Sequence, residues 1–374
     1  MNEDKASRYQ RLVRRAHCLE LIWSAALLIV VLLSGASGLL RDTATLTSRS
    51  TGIPDALSPA VIVALYVLLL AGLHECVSLN LTYYRGHVVE SRYGLSTQSA
   101  RRWLRTHINA TLVGLAFAEA GACVLYVFIR QWPVWWWVAA ATAFSLMTIW
   151  LAKVGPILLL PLFYEFKPIQ QDRLQRRLVN LASQAGTRVL GAYGWTVGDT
   201  TRKANAALVG LGETRRILLS DTLLANYSDD EVEVVLAHEL AHHVHRDIWR
   251  GLGFSTILTF ASFYVAALAL RVAGPLVAIT DPSDVAGLPL MLLVFGALSL
   301  AVLPLANALS REHERRADRF ALRLTRNPAA FTSAMRRLAQ QNLAEERPSR
   351  FIETFFYNHP PIGERLRMAR EWEP

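Results

Sequence analysis

The sequence predicts a mostly α-helical membrane protein with several spans and a smaller α+β part on the cytoplasmic side. Of its 374 residues, 52% are hydrophobic and 18% are charged, whereas soluble globular domains carry about 25% charged residues. The apolar residues form long runs, and arginine is concentrated between these runs. The net charge is +9. Because no pattern of interleaved basic and aromatic residues is present, this charge is interpreted as juxtamembrane positive charge rather than as a nucleic-acid-binding surface.

Six apolar runs are each long enough for a spanning helix, which needs about 20 residues. They cover roughly 19–40, 59–82, 108–129, 134–156, 252–273 and 288–308. Residues 1–19 and the loop 83–107 each hold five lysine or arginine residues, and the alternate loops hold few. By the positive-inside rule, both termini, residues 164–250 and the tail after residue 309 are predicted to be cytoplasmic. The membrane is either a bacterial inner membrane or an endoplasmic reticulum membrane.

The segment between the fourth and fifth runs predicts a small α+β unit. Residues 169–185 place their leucines on one face of a helix, and Gly186 ends that helix. Two apolar stretches follow, Ala206–Gly210 and Ile217–Ser220, joined by the tight turn GLGETR. This arrangement predicts a β-hairpin.

Two further helix starts are marked by capping residues. Ser228 is followed three residues later by Glu231, which is the capping-box pattern. After the sixth run, Asn327 precedes Pro328, a combination typical of a helix cap and first helical position. The first of these helices carries the densest group of histidines in the chain.

That group lies in VVLAHELAHHVHRD, residues 234–247. On a helix, His238 and His242 share one face, where both imidazoles can bind one Zn²⁺. Glu239 can reach a water molecule at that ion, so H-E-x-x-H indicates a zincin-like metalloprotease with Glu239 as general base. His243 points away, and His245 lies about 10 Å from His238 along the axis. A solvated helix end is therefore favoured for His243 and His245.

The third ligand has a candidate in SREHERRADRFAL, residues 310–322. Glu314 and Asp318 lie four residues apart on one predicted helical face. Glu314 can complete a His₂Glu set with an open position for water, and Asp318 can accept a hydrogen bond from a ligand imidazole. The alternative for this segment is an ordinary charged helix with Glu–Arg pairs. A closed structural zinc site would need a fourth ligand, often cysteine, and no cysteine lies in these segments to supply it.

Four motifs, in order along the chain, resemble the integral-membrane zinc metallopeptidases typified by the type I CaaX prenyl protease. They are ANAALVGLGETRRILLSDTLL (204–224), LAHELAHHVHRD (236–247), SREHERRAD (310–318) and NHPPIGERL (358–366). More weakly, ESRYGLSTQ (90–98) resembles the family's loop after an early span. The resemblance covers most of the chain from about residue 83 onward.

The resemblance implies one Zn²⁺ per chain on His238, His242 and Glu314. It also implies that Asn205 and Ala206 lie on an edge strand that pairs with extended substrate, because a strand edge binds peptide through backbone hydrogen bonds. His359 and Arg365 are implied to approach the scissile carbonyl, where cationic donors stabilise a developing oxyanion.

These expectations divide the chain into four parts. They are an N-terminal membrane region with four transmembrane helices (1–163), a cytoplasmic peptidase segment (164–250), two transmembrane helices (251–309) and a cytoplasmic segment with the third ligand and the His-Pro-Pro motif (310–374). The expected partners are the lipid bilayer and a peptide or protein substrate, with membrane-associated and lipidated substrates both open. Alternatives to a CaaX-like processing enzyme are a quality-control protease of the same chemistry and a catalytically silent membrane scaffold or transporter.

Three polar residues fall inside predicted spans: His74, Glu75 and Glu119. Such groups are costly in lipid and usually face a protein interior. They either line a polar cavity leading to the metal or pair with one another and lock the helices together.

Overall fold

The computed structural model describes residues 4–159, 161, 165–196, 200–210 and 215–373. Its helices, in chain order, are α1 (Lys5–Leu33), α2 (Ala36–Ser50), α3 (Ser58–Arg92), α4 (Ala100–Gln131), α5 (Trp136–Leu158), α6 (Asp172–Gln184), α7 (Asp221–Asn226), α8 (Asp229–Val244), α9 (Asp247–Val272), α10 (Leu288–Thr325), α11 (Pro328–Gln341), α12 (Arg350–Phe356) and α13 (Ile362–Arg370). Within the described ranges, six helices are long and apolar enough to cross a membrane: α1, α3, α4, α5, α9 and α10. The predicted multi-span helical fold is confirmed.

The first span differs most from its prediction. It was expected over 19–40, but α1 begins at Lys5 and ends at Leu33. Gly35 has φ +77°, a left-handed conformation that residues with a side chain rarely adopt, and the chain turns there into α2. With 15 residues, α2 reaches only about 22 Å, which is shorter than the roughly 30 Å of a bilayer core.

A four-stranded sheet lies between the fourth and fifth spanning helices in the sequence. Its strands are β1 (Phe166–Pro168), β2 (Ala192–Trp195), β3 (Ala206–Val209) and β4 (Arg216–Ser220), in the spatial order β1-β2-β4-β3. β3 and β4 are antiparallel, so the predicted hairpin is confirmed, although residues 211–214 of its turn lie outside the described residues. β1 and β2 have no counterpart in the prediction. β3 is an edge strand.

Among the described residues, the apolar core forms two large clusters and a small third one around Tyr9, Val89 and Leu95. One large cluster joins the spanning helices, and the other joins the sheet to α6, α8, α11 and α13. In the second cluster, the predicted apolar face of α6 packs with β4 and α8, and Leu178, Ile217 and Leu240 are fully buried. This core fixes α8 beneath the sheet. The predicted boundary at residue 163 lies outside the described residues, and the division of the chain into four parts stays a prediction.

Two of the three polar residues of the spans pair with neighbouring helices. His74 Nε2 lies 3.0 Å from Ser24 Oγ of α1, and His107 Nε2 of α4 is hydrogen-bonded to the Glu75 carboxylate. Trp103 stacks on the His107 ring with centroids 4.9 Å apart. These contacts favour the interpretation that His74 and Glu75 hold neighbouring helices together. Each does so through a residue of another helix, and the two do not pair with each other.

Candidate active site

The helix that carries the histidine cluster is fixed at its start and along its inner face. Ser228 Oγ accepts a hydrogen bond from the Glu231 N–H, and the Glu231 carboxylate accepts one from the Ser228 N–H. The predicted capping box is therefore confirmed. Glu231 also accepts a hydrogen bond from Ser333 Oγ and lies 3.0 Å from Arg337 Nε, so α8 is anchored to α11.

Three predicted ligands converge where α8 crosses α10. His238 Nε2 lies 3.1 Å from Glu314 Oε2, and His242 Nε2 lies 3.4 Å from Glu314 Oε1. One ligand atom from each of the three residues lies within 4.8 Å of the others. Two imidazole nitrogens and a carboxylate at this spacing form a donor set that suits a divalent metal ion.

His238 is held from behind by two residues from other helices. Its Nδ1–H donates to Asp318 Oδ1 at 2.9 Å, while Arg365 donates to both oxygens of Asp318, from Nη2 at 2.6 Å and from Nε at 2.8 Å. Burial alone would lower the pKa of His238, but the hydrogen bonds to Asp318 and Glu314 raise it to about 10. The surroundings therefore favour a positive charge at this point, as a bound cation requires.

His242 has a support that the sequence interpretation missed. Its Nδ1 lies 3.1 Å from Asp247 Oδ2, and the other oxygen of Asp247 accepts hydrogen bonds from Arg316 at 3.1 Å and Arg250 at 3.3 Å. Arg246, with φ +57°, turns the chain between α8 and α9 and brings Asp247 back beside His242. The sequence signal that could have identified this support is Asp247, the last residue of VVLAHELAHHVHRD and the first residue of α9.

Six of the predicted site residues line one cleft of about 510 Å³, which also borders α1 and α3. Its lining includes Asn205, Ala206, His238, Glu239, His359 and Arg365. Glu239 is half-buried, and this burial raises its pKa above the ordinary value although His238 and His242 oppose the shift. A carboxylate that binds a proton more readily than in water suits a general base.

His359 and Arg365 reach the cleft in different ways. His359 is exposed to it, and its Nε2 lies 3.5 Å from Glu314 Oε2. Arg365 is buried, and its Nε and Nη2 are committed to Asp318. Arg365 therefore supports the ligand assembly from behind, in addition to lining the cleft.

Ala206 begins the edge strand β3, and Asn205 is the residue immediately before it. Asn205 is exposed, and its Oδ1 accepts a hydrogen bond from the Ala206 N–H at 2.9 Å. His243, expected in a solvated helix end, is half-buried, and its Nε2 lies 3.1 Å from Leu208 O on the same strand. That expectation was wrong for His243 because the edge strand packs directly over α8.

Comparison with known protein families covers nearly the whole chain. Residues 168–373 match the profile of peptidase family M48, and residues 2–165 match that of the CAAX prenyl protease N-terminal region, described as five membrane helices. The chain belongs to peptidase family M48. The family resemblance predicted from the motifs is thereby confirmed, and the protein is an integral-membrane, multi-pass metallopeptidase.

The relatives of this M48 peptidase include bacterial and eukaryotic proteins. The metalloprotease YhfN of Bacillus subtilis (strain 168), described as uncharacterized, is 28% identical over 82% of this chain and 73% of its own length. CAAX prenyl protease 1 of Saccharomyces cerevisiae is 26% identical over 80% of this chain and 70% of its own length. The crystal structure of S. mikatae Ste24p superposes with a TM-score of 0.86 at 22% identity, covering 98% of this chain and 88% of that one, and shows that the fold is shared.

The N-terminal region can be compared with the family description helix by helix. The described residues up to 159 hold five helices, α1 to α5, of which α2 is too short and polar to qualify as a span. The family description counts five membrane helices, whereas four of these five helices qualify as spans, and those four match the predicted spans. The metal ion that a family of metallopeptidases implies has a matching donor set in His238, His242 and Glu314.

Proposed function

We propose that this M48 peptidase is a zinc-dependent endopeptidase that hydrolyses extended peptides at the cytoplasmic surface of the membrane. The observation that supports this most directly is the convergence of His238, His242 and Glu314 at the cleft that also exposes Glu239 and the edge strand. Each part of the proposed mechanism has a residue in this cleft.

The metal would be held by His238 Nε2, His242 Nε2 and the Glu314 carboxylate, one ion per chain. Zinc, when bound, polarises a peptide carbonyl and lowers the pKa of water. Because Asp318 and Asp247 engage the two Nδ1 atoms, each ring is oriented with its Nε2 towards Glu314. Carboxylates in this position fix the tautomer and orientation of a ligand histidine.

Glu239 acts as the general base in this proposal. Its carboxylate takes a proton from the attacking water as the C–O bond forms at the scissile carbonyl. It then gives the proton to the leaving nitrogen as the C–N bond breaks, so one water is consumed and one carboxyl and one amino terminus are produced. The carboxylate ends the cycle unprotonated.

His359 and Arg365 supply positive or hydrogen-bonding groups on the side of the cleft facing Glu314. Donors directed at the oxygen that becomes negative stabilise the transition state more than the substrate. His359 is the more accessible of the two. Arg365 contributes mainly through Asp318, which it holds against His238.

The substrate lies along the edge strand, where Asn205 and Ala206 face the cleft. Backbone hydrogen bonds hold an extended peptide whatever its side chains. The substrate class is a peptide or protein at the membrane surface. The similarity to CAAX prenyl protease 1 supports a lipidated substrate cleaved near its C-terminus, and a quality-control protease with dispersed cleavage sites is the alternative.

The test is the purified Glu239→Gln variant. We expect peptide hydrolysis to fall by about 10²–10⁴-fold, the usual contribution of general-base catalysis, while mass spectrometry finds one zinc per chain as in the wild type. Glu233→Gln is a matched control on the same helix, because Glu233 pairs with Arg177 away from the cleft. Unchanged hydrolysis in Glu239→Gln would overturn the mechanism.

The same variant separates the two substrate classes. New protein termini are compared between membranes containing the wild type and membranes containing Glu239→Gln. A single product site near lipidated C-termini supports a processing enzyme, and many dispersed sites support quality control.

A further inference from the structure

The short helix α12 lies immediately before the His-Pro-Pro segment, and its last residue is three positions before His359. A helix of seven residues is too short to be stable in water without other contacts. No residue of α12, all of which the structure describes, is buried, and Phe351 is 67% exposed. Burial of apolar side chains therefore contributes little to the position of α12, and other contacts must hold this helix in place.

Two buried polar side chains of α10 bind the C-terminal end of α12. Arg311 donates from Nη1 to Glu353 O at 2.9 Å and to Tyr357 O at 2.7 Å, and its Nε lies 3.4 Å from the Glu353 carboxylate. Asn307, one turn earlier, donates from Nδ2 to Thr354 O at 3.1 Å. The carbonyl groups at the end of a helix carry partial negative charge, so a cationic donor there is favourable. Arg311 and Asn307 are 8% and 7% exposed, so water competes little for these bonds.

The contacts between α10 and the C-terminal segment occur in the same order along both. The four contacting residues of α10 share one face of the helix, because they are spaced four, three and four positions apart. They are Asn307, Arg311, Glu314 and Asp318. Their partners, in the same order, are Thr354, Tyr357, His359 and Arg365. The C-terminal segment thus lies along the face of α10 that carries the predicted metal ligand, and it is held on both sides of His359.

The position of the His359 side chain depends on its backbone, because the ring makes few contacts with the described residues. It is 54% exposed, and its Nδ1 lies 2.8 Å from Oδ1 of the adjacent Asn358. Pro360 and Pro361 follow. A proline ring fixes φ at about −65°, and the residue before a proline is restricted to extended conformations. Because the chain has so few alternative conformations here, a displacement of Tyr357 moves His359 as well.

We propose that Arg311, assisted by Asn307, is a positioning residue that keeps His359 beside the metal centre by holding the end of α12. Neither side chain belongs to the donor set or to the cleft lining found among the described residues, so both act through the backbone of the His-Pro-Pro segment. The inference deepens the proposed peptidase function and rests on it, because it assigns a cause to the position of a residue that this function uses.

The first test is a double-mutant cycle, with the kcat for fluorescein-labelled casein measured on the purified, zinc-loaded, full-length protein. Arg311→Met removes the donors and keeps a long side chain. We expect kcat to fall by about 10–100-fold, because a displacement of about 1 Å in an active site has a cost of this size, while KM changes little. In the His359→Ala background the same substitution should lower kcat by less than about twofold, because the effects of residues that act as a unit are not additive. Arg311→Lys, which can still donate to both carbonyls, should recover most of the loss.

Arg319→Met is the matched control, because Arg319 lies on the same helix, is half exposed and pairs with Glu312 of that helix. It should leave kcat unchanged. Zinc content and thermal unfolding identify any variant that fails to fold, and Asn307→Ala, which keeps Arg311 in place, then replaces Arg311→Met with a smaller effect in the same direction. Equal losses of kcat with and without His359 would show that Arg311 does not act through His359 and would overturn the inference.

Hydrogen–deuterium exchange gives a second readout that does not depend on activity. We expect the amides of α12 to exchange at least about tenfold faster in Arg311→Met than in the wild type, because the helix loses the charged donor at its end, while the amides of α11 exchange as before. Unchanged exchange in α12 of a wild type and variant that both hydrolyse casein would overturn the positioning inference alone. If the zinc-loaded wild type hydrolyses nothing, the proposed function fails, and the role of Arg311 in catalysis fails with it.

Discussion

The two histidines of the candidate metal centre are held by different kinds of support. Behind His238, Asp318 is completely buried and is gripped by the buried Arg365 through two hydrogen bonds. Behind His242, Asp247 is also buried, but its cationic partners Arg316 and Arg250 have side chains 29% and 52% exposed. Both histidines therefore have a carboxylate beside Nδ1. The carboxylate behind His238 is paired with a buried arginine, and the one behind His242 is paired with arginines that contact solvent.

The difference teaches that the two supports contribute to different properties. A surface ion pair contributes about 0–1 kcal/mol because water screens it, whereas breaking a buried pair leaves an unpaired charge in the core. The Asp318–Arg365 pair also joins α10 to α13, so it connects the ligand helix to the C-terminal segment. We expect it to matter for folding and for metal binding, and the Asp247 group to matter mainly for metal binding.

The largest effect is expected from Asp318→Asn, which removes the negative charge with little change of shape. Arg365 then remains buried without a counter-charge, so the free energy of unfolding should fall by roughly 3–5 kcal/mol. Zinc affinity should fall by about 10–100-fold, as for other outer carboxylates of metal sites. Thermal unfolding and chelator competition measure the two quantities.

Glu364→Gln is the control for this change. Arg315 of α10 and Glu364 of α13 form an ion pair between the same two helices with the charges exchanged, at 2.6 Å, and both side chains are about one quarter exposed. We expect a loss of less than about 1 kcal/mol and unchanged zinc affinity. Equal losses in the two variants would contradict the importance of burial.

Asp247→Asn should have a smaller effect that separates the two properties. The amide can still accept a hydrogen bond from His242, and the nearby arginines remain in contact with solvent. We expect zinc affinity to fall by about tenfold, the lower end of the range for such carboxylates, with an unfolding temperature close to that of the wild type. Asp230→Asn, in an exposed pair with Arg177, controls for the loss of a charge, and a loss of stability as large as that of Asp318→Asn would remove the distinction between the two supports.

Ser228→Ala should have the smallest effect on stability, and it should affect the supports of His238 and His242 equally. It removes the cap of α8, which carries both His238 and His242, and such a loss costs about 1 kcal/mol. The unfolding temperature should fall while the relative zinc affinities of the Asp318 and Asp247 variants stay the same. Ser349→Ala, at the cap of the short helix α12, is the comparison. A selective loss of zinc in Ser228→Ala would indicate that α8 shifts as a whole.

Local patterns predicted much of the fold. The apolar runs located all six spanning helices, the capping pattern at Ser228 located the start of α8, and the two apolar stretches with a tight turn located the β3–β4 hairpin. Each of these features depends on residues close together in the chain, whose spacing determines which face they share. The prediction was wrong for the end of the first span because only the backbone at Gly35 shows where α1 stops.

The sequence by itself determined which residues of one helix can act together: His238 with His242 on α8, and Glu314 with Asp318 on α10. It also identified the family, because the motifs are local strings. Only the tertiary structure decided that Asp247 supports His242, that Arg365 holds Asp318 beneath His238, and that His243 contacts the edge strand. Those pairings join segments that are distant in the chain or folded back by a turn, and they depend on how helices and sheet pack, which the spacing within one segment does not specify.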